Sequence, residues 1–136
     1  MKNLIEEALF ENNLKLKDAK IAILGYAFLE NSDDTRNTPA KPLYDSLKDE
    51  CRELIVPDPY VRQEEGVNLT TDLEKALADA DCIALVTKHR EYNNIDLTQL
   101  KKTMRTPIIV DGRNVFNPTD AQRKGFTFRG VGIGSI

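Results

Sequence analysis

The sequence has few of the residues on which metal and disulfide sites depend. It contains one histidine and two cysteines in 136 residues. A single histidine, His89, excludes a multi-histidine metal site, and Cys51 and Cys82 show neither metal-ligand spacing nor a disulfide framework. We therefore predict that both cysteines are buried free thiols that pack as small apolar groups. No cysteine or serine stands near His89, so we predict a hydrogen-bonded structural histidine and no catalytic residue.

The sequence also has no excess of basic residues over acidic ones. It has few glycines and prolines and no long hydrophobic run. Nineteen basic residues stand against 22 acidic ones, for a net charge of −3, which argues against binding to nucleic acid or an anionic membrane. Seven glycines and six prolines are too few for a disordered or collagen-like chain. The longest apolar run, residues 82–86, is far too short to span a bilayer, and the N-terminus has no signal-peptide core. We expect a cytoplasmic protein.

Apolar runs alternate with amphipathic segments along the chain, after a predicted N-terminal helix over residues 1–19. Continuous apolar runs are typical of parallel strands that are buried on both faces. The predicted strands are residues 20–26, 53–56, 67–70, 82–87, 107–110 and 126–133. The predicted helices between them are residues 39–48, 72–80, 96–103 and 119–124. This alternation predicts an α/β fold with a parallel sheet of five or six strands and helices on both faces.

Two helix starts carry recognisable capping signals. Thr38 is a candidate N-cap because Pro39 follows it at the first helical position. Thr71 and Glu74 have the spacing of a capping box, in which each side chain accepts a hydrogen bond from the other residue's backbone N–H.

Ligands of such folds bind outside the carboxyl ends of the strands, so the residues that follow each strand are the candidate site. Gly25 ends the first strand, but residues 26–29 contain none of the further glycines that a dinucleotide fingerprint needs. A nicotinamide cofactor is therefore not expected to sit on this sheet in the usual way. Asp58 lies where such folds place a ribose-binding acid, and the alternative is that it forms the turn between two prolines.

Two arginines follow strands at this edge. Arg36 precedes a predicted helix N-terminus, where backbone amides favour anions, and Arg113 follows a buried strand directly in the segment Asp-Gly-Arg. Each guanidinium is suited to form two parallel hydrogen bonds to a phosphate or carboxylate. The alternative is that each forms an ion pair within the protein. The candidate partners are Asp33 or Asp34 for Arg36, and Asp111 or Asp58 for Arg113.

Four motifs in order carry a resemblance to a known family. They are KIAILGYAFLENSDDTRNTPA (20–40), VPDPYV (56–61), ADCIALVTKHREY (80–92) and IIVDGRNVF (108–116). Together they resemble the C-terminal, nucleotide-sugar-binding domain of the UDP-glucose/GDP-mannose dehydrogenase family, and the resemblance extends over residues 20–132. It implies a Rossmann-like domain over residues 20–136, with residues 1–19 as the end of an inter-domain linker helix.

The resemblance also implies an activity for the enzyme to which such a domain belongs. Family members use NAD to oxidise the C6 alcohol of a UDP-sugar twice, which produces a uronic acid. Their glycine fingerprint and nucleophilic cysteine have no counterpart here, and neither Cys51 nor Cys82 matches the cysteine motif. The chain therefore resembles an excised domain that is inactive alone. Its expected partners are a UDP-sugar, the missing N-terminal NAD domain, and further copies of the enzyme in a homodimer or higher oligomer.

Four residues match positions with roles in the family. Phe28 and Leu29 correspond to a Phe-Lys pair that contacts substrate, although Leu29 replaces the lysine. Arg113 resembles an arginine that contacts the nucleotide sugar, and Arg36 resembles one that reaches towards the NAD pyrophosphate. Leu29 and the segment KHREY (88–92) favour UDP-N-acetylmannosamine or UDP-N-acetylglucosamine over UDP-glucose. A free-standing nucleotide-binding regulatory module and an interaction domain without a ligand are the alternatives.

Overall fold

Six strands form one sheet in the computed structural model, which describes residues 1–130 of the chain. In chain order the strands are β1 (Lys20–Leu24), β2 (Glu53–Pro57), β3 (Leu69–Thr70), β4 (Cys82–Leu85), β5 (Ile108–Asp111) and β6 (Thr127–Gly130). Their spatial order is β3-β2-β1-β4-β5-β6, and every neighbouring pair is parallel. The predicted parallel α/β sheet is confirmed; residues 131–133 of the predicted last strand lie outside the described residues.

Five helices accompany the sheet. They are α1 (Lys2–Glu11), α2 (Ala40–Leu47), α3 (Leu73–Leu77), α4 (Leu97–Thr103) and α5 (Pro118–Arg123), with short 3₁₀ helices at Leu16–Asp18 and Arg90–Asn94. The predicted helix over residues 1–19 is too long. The α-helix ends where the sequence turns to asparagine, and Asn13 adopts a left-handed φ of 59° that asparagine tolerates. Within residues 1–130, no helix is long and apolar enough to cross a membrane.

Alternate residues of β1 point to two separate hydrophobic clusters, as the period of a strand requires. Ile21 and Ile23 pack on the side of α1 and α2, whereas Ala22 and Leu24 pack on the side of α3, α4 and α5. All of β1 is buried, so helices cover both faces of the sheet as predicted. Because α1 contributes buried residues to the first cluster, it is part of the packed core. Its role as the end of a linker helix remains a prediction.

The predicted capping box at the start of α3 is wrong. Asp72, one residue after Thr71, is the N-cap, and its carboxylate accepts the backbone N–H of Lys75 at 3.1 Å. The helix then ends at Leu77, earlier than predicted. Thr38 is not the N-cap of α2, which is Pro39, but the Thr38 hydroxyl oxygen accepts the N–H of Ala40 at 3.2 Å. The regular helix α2 begins at Ala40, one residue after the predicted first position.

Asp81 joins the amino ends of three strands at the edge of the sheet opposite the candidate site. Its fully buried carboxylate accepts the backbone N–H of Lys20 (2.8 Å), two guanidinium N–H groups of Arg105 (2.8 and 2.7 Å) and the hydroxyl of Thr106 (2.7 Å). Burial acts to raise the pKa of Asp81, but these donors outweigh it, and the net pKa is lowered. The carboxylate is thus a charged structural group that ties β1, β4 and β5 together.

Candidate functional site

The loops that follow β1 and β5 meet at the carboxyl edge of the sheet. A guanidinium nitrogen of Arg113 lies 3.8 Å from a carboxylate oxygen of Glu30, which joins the two loops. Gly112 allows the second loop to pass close to the end of β4, because a Cβ there would lie 2.7 Å from the carbonyl oxygen of Leu85. The N–H of Gly112 instead donates to that oxygen at 2.9 Å. The topology therefore brings the predicted residues Phe28, Leu29 and Arg113 to one edge.

Asp58 organises the start of the first loop. Its fully buried carboxylate accepts hydrogen bonds from five donors. They are the backbone N–H groups of Tyr26 (2.7 Å), Ala27 (3.1 Å), Tyr60 (2.7 Å) and Val61 (3.0 Å) and the Nε2–H of His89 (2.9 Å). Burial acts to raise the pKa of Asp58, but the His89 and backbone donors outweigh it, and the pKa is lowered. The turn-forming alternative is supported, because neither oxygen is left for a ribose hydroxyl.

His89 is also fully buried and hydrogen-bonded at both ring nitrogens. Nδ1 accepts the backbone N–H of Asn31 at 2.8 Å, and Nε2 faces Asp58 at 2.9 Å. Because a backbone N–H can only donate, the proton of this ring sits on Nε2. The predicted structural role fits this geometry. The link to Asn31 was not predicted, since a bond to a backbone N–H leaves no signal in the sequence.

Arg36 forms the ion pair that was one of its two alternatives. Its guanidinium donates to both carboxylate oxygens of Asp34, at 3.0 and 2.8 Å. The hydrogen bond from Arg36 lowers the pKa of Asp34 to about 2. The Arg36 side chain is 85% exposed, so water screens this pair and it adds little to stability. Its predicted contact with NAD remains a prediction.

Arg113 has a different partner from those proposed by the sequence. Asp111 holds the loop by accepting the backbone N–H groups of Arg113 (3.0 Å) and Phe116 (2.7 Å), not by pairing with the guanidinium. Among the ion pairs of residues 1–130, the Arg113 guanidinium faces Glu30 and neither Asp111 nor Asp58. The alternative of a pair with those two aspartates is therefore wrong. The Arg113 side chain is 42% exposed and borders solvent beside the first loop.

Phe28 and Leu29 are two of the three large apolar side chains that are exposed within residues 1–130, at 47% and 50%. They immediately precede Glu30, the contact of Arg113. An exposed aromatic ring offers a face on which a planar group can stack. The Arg113 guanidinium, which faces the neighbouring Glu30, is suited to a phosphate. The edge therefore combines what a ligand with a base and phosphates requires.

The first loop does not fit the usual seat of a nicotinamide dinucleotide. A Cβ on Gly25 would lie 2.4 Å from Cβ of Thr87, so this glycine is needed for contact between strands β1 and β4. The next two backbone N–H groups, of Tyr26 and Ala27, already donate to Asp58. A fingerprint loop would direct such groups at the pyrophosphate.

Neither thiol has the environment of an activated nucleophile. Burial raises the pKa of both Cys82, which is fully buried, and Cys51, which is partly buried. A nucleophilic cysteine needs the opposite shift, towards the thiolate. Over the part of the chain that the structure describes, no group of three or more potential ligands could hold a metal ion.

Comparisons with known proteins identify the family to which the chain is similar. A profile of the UDP-glucose/GDP-mannose dehydrogenase family, UDP binding domain, matches residues 22–118. The UDP-N-acetyl-D-mannosamine dehydrogenase of Pyrococcus horikoshii is 38% identical over 133 residues, which cover 98% of this chain and 30% of that protein. The UDP-glucose 6-dehydrogenase of Rhizobium meliloti is 32% identical over 122 residues, which cover 86% and 28%. The chain thus spans about 30% of the length of these curated relatives.

Solved structures show the same relationship. An NDP-N-acetyl-D-galactosaminuronic acid dehydrogenase from Methanosarcina mazei superposes with a TM-score of 0.90 at 36% identity, covering 96% of this chain and 28% of that one. The UDP-D-ManNAc dehydrogenase of Pyrococcus horikoshii superposes with a TM-score of 0.85 at 37% identity, covering 99% and 30%. The profile, the relatives and the fold together show that this chain belongs to the UDP-glucose/GDP-mannose dehydrogenase family, as its UDP-binding domain.

Proposed function

We propose that this domain holds the nucleotide sugar for an NAD-dependent UDP-sugar 6-dehydrogenase that oxidises the C6 alcohol of a UDP-N-acetylhexosamine to a uronic acid. The observation that carries the proposal is that Arg113 faces Glu30, the residue that follows the exposed Phe28 and Leu29, at the carboxyl edge of the sheet. Within a UDP-binding domain, this is the edge at which the fold class binds ligands.

Each of these side chains has a distinct role in the proposal. Arg113 donates two hydrogen bonds to the diphosphate, which it can do because its only ion-pair partner among the described residues is a loosely held, exposed Glu30 at 3.8 Å. Phe28 and Leu29 provide apolar contact with the nucleotide sugar. Leu29 cannot donate a hydrogen bond as a lysine would, so that contact is with an apolar part of the ligand, such as the methyl group of an N-acetyl substituent.

The choice of an N-acetylhexosamine has support from two directions. Leu29 and the segment KHREY (88–92) both favour that branch in the sequence. The relative from Pyrococcus horikoshii, at 38% identity, is described as a UDP-N-acetyl-D-mannosamine dehydrogenase. UDP-glucose is the second candidate, because the relative from Rhizobium meliloti, at 32% identity, is described as a UDP-glucose 6-dehydrogenase.

In the proposal, NAD is bound mainly by a domain outside this chain. The first loop lacks the free backbone donors and glycines that would seat the cofactor. We propose that a separate N-terminal domain binds NAD and supplies the nucleophilic cysteine, and that Arg36 contacts the pyrophosphate across the cleft. Its 85% exposed side chain is free to reach that far. A homodimeric or larger cytoplasmic enzyme completes the proposal.

Isothermal titration calorimetry tests the binding part. We expect the purified chain to bind UDP and the two UDP-N-acetylhexosamines, UDP-N-acetylmannosamine and UDP-N-acetylglucosamine, and to bind UDP-glucose more weakly. In parallel, NADH formation should stay at background with every UDP-sugar, because the chain has no activated cysteine. Absence of UDP binding would favour an interaction domain without a ligand. Turnover of a UDP-sugar by the chain alone would contradict the assignment of catalysis to another domain.

A further inference from the structure

We propose that the buried Asp58–His89 pair positions the segment that presents Phe28 and Leu29, by holding the backbone at both ends of that segment. The identity of the ligand that the segment contacts rests on the proposed function. The positioning role itself rests on hydrogen bonds that converge on one loop from two directions. His89 acts here through the loop and not on the ligand, so it is a positioning residue.

The near end of the segment is held by Asp58. One carboxylate oxygen accepts the N–H groups of both Tyr26 and Ala27, at 2.7 and 3.1 Å. The carbonyl oxygen of Ala27 in turn accepts the hydroxyl of Thr87 at 2.6 Å. The main chain is therefore fixed at Ala27, immediately before Phe28.

The far end is held by His89. Its Nδ1 accepts the N–H of Asn31 at 2.8 Å, and the side-chain oxygen of Asn31 accepts the N–H of Arg90, also at 2.8 Å. Asn31 has a φ of 57°, a left-handed conformation that reverses the chain and that asparagine adopts more readily than most residues. The main chain is therefore fixed again immediately after Glu30.

Only three residues, Phe28, Leu29 and Glu30, lie between the two fixed points, and all three are exposed. A short segment held at both ends has few conformations left to lose when a ligand binds, so less conformational entropy opposes binding. The held segment also includes Glu30, whose carboxylate lies 3.8 Å from the Arg113 guanidinium of the second loop. Releasing His89 should therefore weaken binding even though His89 is fully buried.

The pair differs in this respect from Asp81, another fully buried carboxylate with several donors. Asp81 bonds to Lys20, Arg105 and Thr106 at the opposite edge of the sheet, away from the first loop. If His89 served stability alone, replacing it should leave ligand affinity as unchanged as replacing Asp81 does. Asp81→Asn is therefore a matched control for a variant of His89.

The experiment compares His89→Leu, His89→Gln and Asp81→Asn with the wild-type chain. Leucine removes both hydrogen bonds but leaves Asp58 with four backbone donors, so the fold should survive. We expect His89→Leu to weaken UDP binding at least about tenfold in calorimetry, which is 1.4 kcal/mol. Glutamine keeps one donor and one acceptor and should recover part of the affinity. Asp81→Asn should lower Tm and keep the affinity within about twofold, since distant sites act independently.

A second readout does not depend on the ligand. Because the chain has one histidine, its ring nitrogens give unambiguous NMR signals, which should show Nε2 protonated and Nδ1 accepting a hydrogen bond. The amide of Asn31 should be protected from hydrogen exchange in the wild type and in Asp81→Asn, and exposed in His89→Leu.

The outcomes separate the positioning role from the proposed function. Unchanged UDP affinity in a folded His89→Leu variant whose Tm falls as in Asp81→Asn would overturn the positioning role. Continued protection of the Asn31 amide in that variant would overturn it as well. Should the wild-type chain fail to bind UDP, the proposed function fails, and the Asn31 amide still decides whether His89 holds the loop. If His89→Leu does not fold, His89→Gln is compared with Asp81→Asn on the same two measurements.

Discussion

Replacing Arg113 by alanine should weaken ligand binding without lowering stability, because the arginine side chain makes few contacts within the domain. Its one ion pair among the described residues is with Glu30 at 3.8 Å, and both side chains are about half exposed. Exposed pairs of this kind contribute about 0–1 kcal/mol. The loop itself depends on the backbone N–H of Arg113, which donates to Asp111 at 3.0 Å and survives the substitution. Tm should therefore hardly change.

The expected loss of affinity is much larger than the loss of stability. A charge-assisted hydrogen bond contributes about 1.5–3 kcal/mol after the competing hydration is counted, so loss of the Arg113 guanidinium should cost at least about 2 kcal/mol. A net loss of about 2 kcal/mol corresponds to roughly 30-fold weaker binding of UDP. Arg113→Lys keeps the charge and loses the planar fork, so it should recover only part of that affinity.

Calorimetry with UDP and a thermal melt on each variant provide the assay. Arg52→Ala is the matched control, since Arg52 is also about half exposed but lies at the opposite edge of the sheet, where it contacts the Asp18 carbonyl oxygen. It removes the same charge and should leave UDP affinity unchanged. The reasoning is refuted if Arg113→Ala lowers Tm by several degrees and binds UDP as the wild type does, because Arg113 would then be a structural residue.

Three further predictions concern other parts of the domain. In a dehydrogenase that contains this domain, Arg36→Ala should raise KM for NAD in steady-state kinetics and change stability by less than about 0.5 kcal/mol, because the side chain is 85% exposed. Asp81→Asn should cost about 1.5–3 kcal/mol in urea unfolding above about pH 4. Since the folded-state pKa of Asp81 is lowered, this difference should shrink as the pH falls through that pKa, and a constant difference would contradict the assigned charge. Gly25→Ala should cost more than about 2 kcal/mol, because φ is 98° and the new Cβ would lie 2.4 Å from Cβ of Thr87; an unchanged Tm would refute this.

The sheet could be predicted from the sequence because buried parallel strands are continuous apolar runs. Residues 20–24, 82–85 and 108–110 stand out in this way, and each is a strand in the structure. The cap of α3 could not be predicted as well, because Thr71 and Asp72 are adjacent and both are good N-cap residues. Which of the two is the N-cap depends on whether the helix starts at residue 72 or residue 73. The hydrophobic pattern does not locate a helix start to one residue.

The placement of the candidate site residues was predictable where it depends on position along a strand and unpredictable where it depends on the path of a loop. Arg113 lies at the carboxyl edge because it follows β5, and Asp34 was a natural partner for Arg36 two residues away. The approach of Glu30 to Arg113 joins residues far apart in sequence, and it follows from a left-handed turn at Asn31 that no composition rule specifies.

The most direct test of the account is to map UDP binding on the wild-type chain by ¹H–¹⁵N NMR. A UDP-binding domain that uses the carboxyl edge of its sheet should show its largest amide shifts in residues 28–31 and 111–116. The amides around Asp81, at the opposite edge, should stay in place. Saturable shifts confined to those two loops are the predicted result. Shifts centred anywhere else, or no shifts at millimolar UDP, would contradict the account.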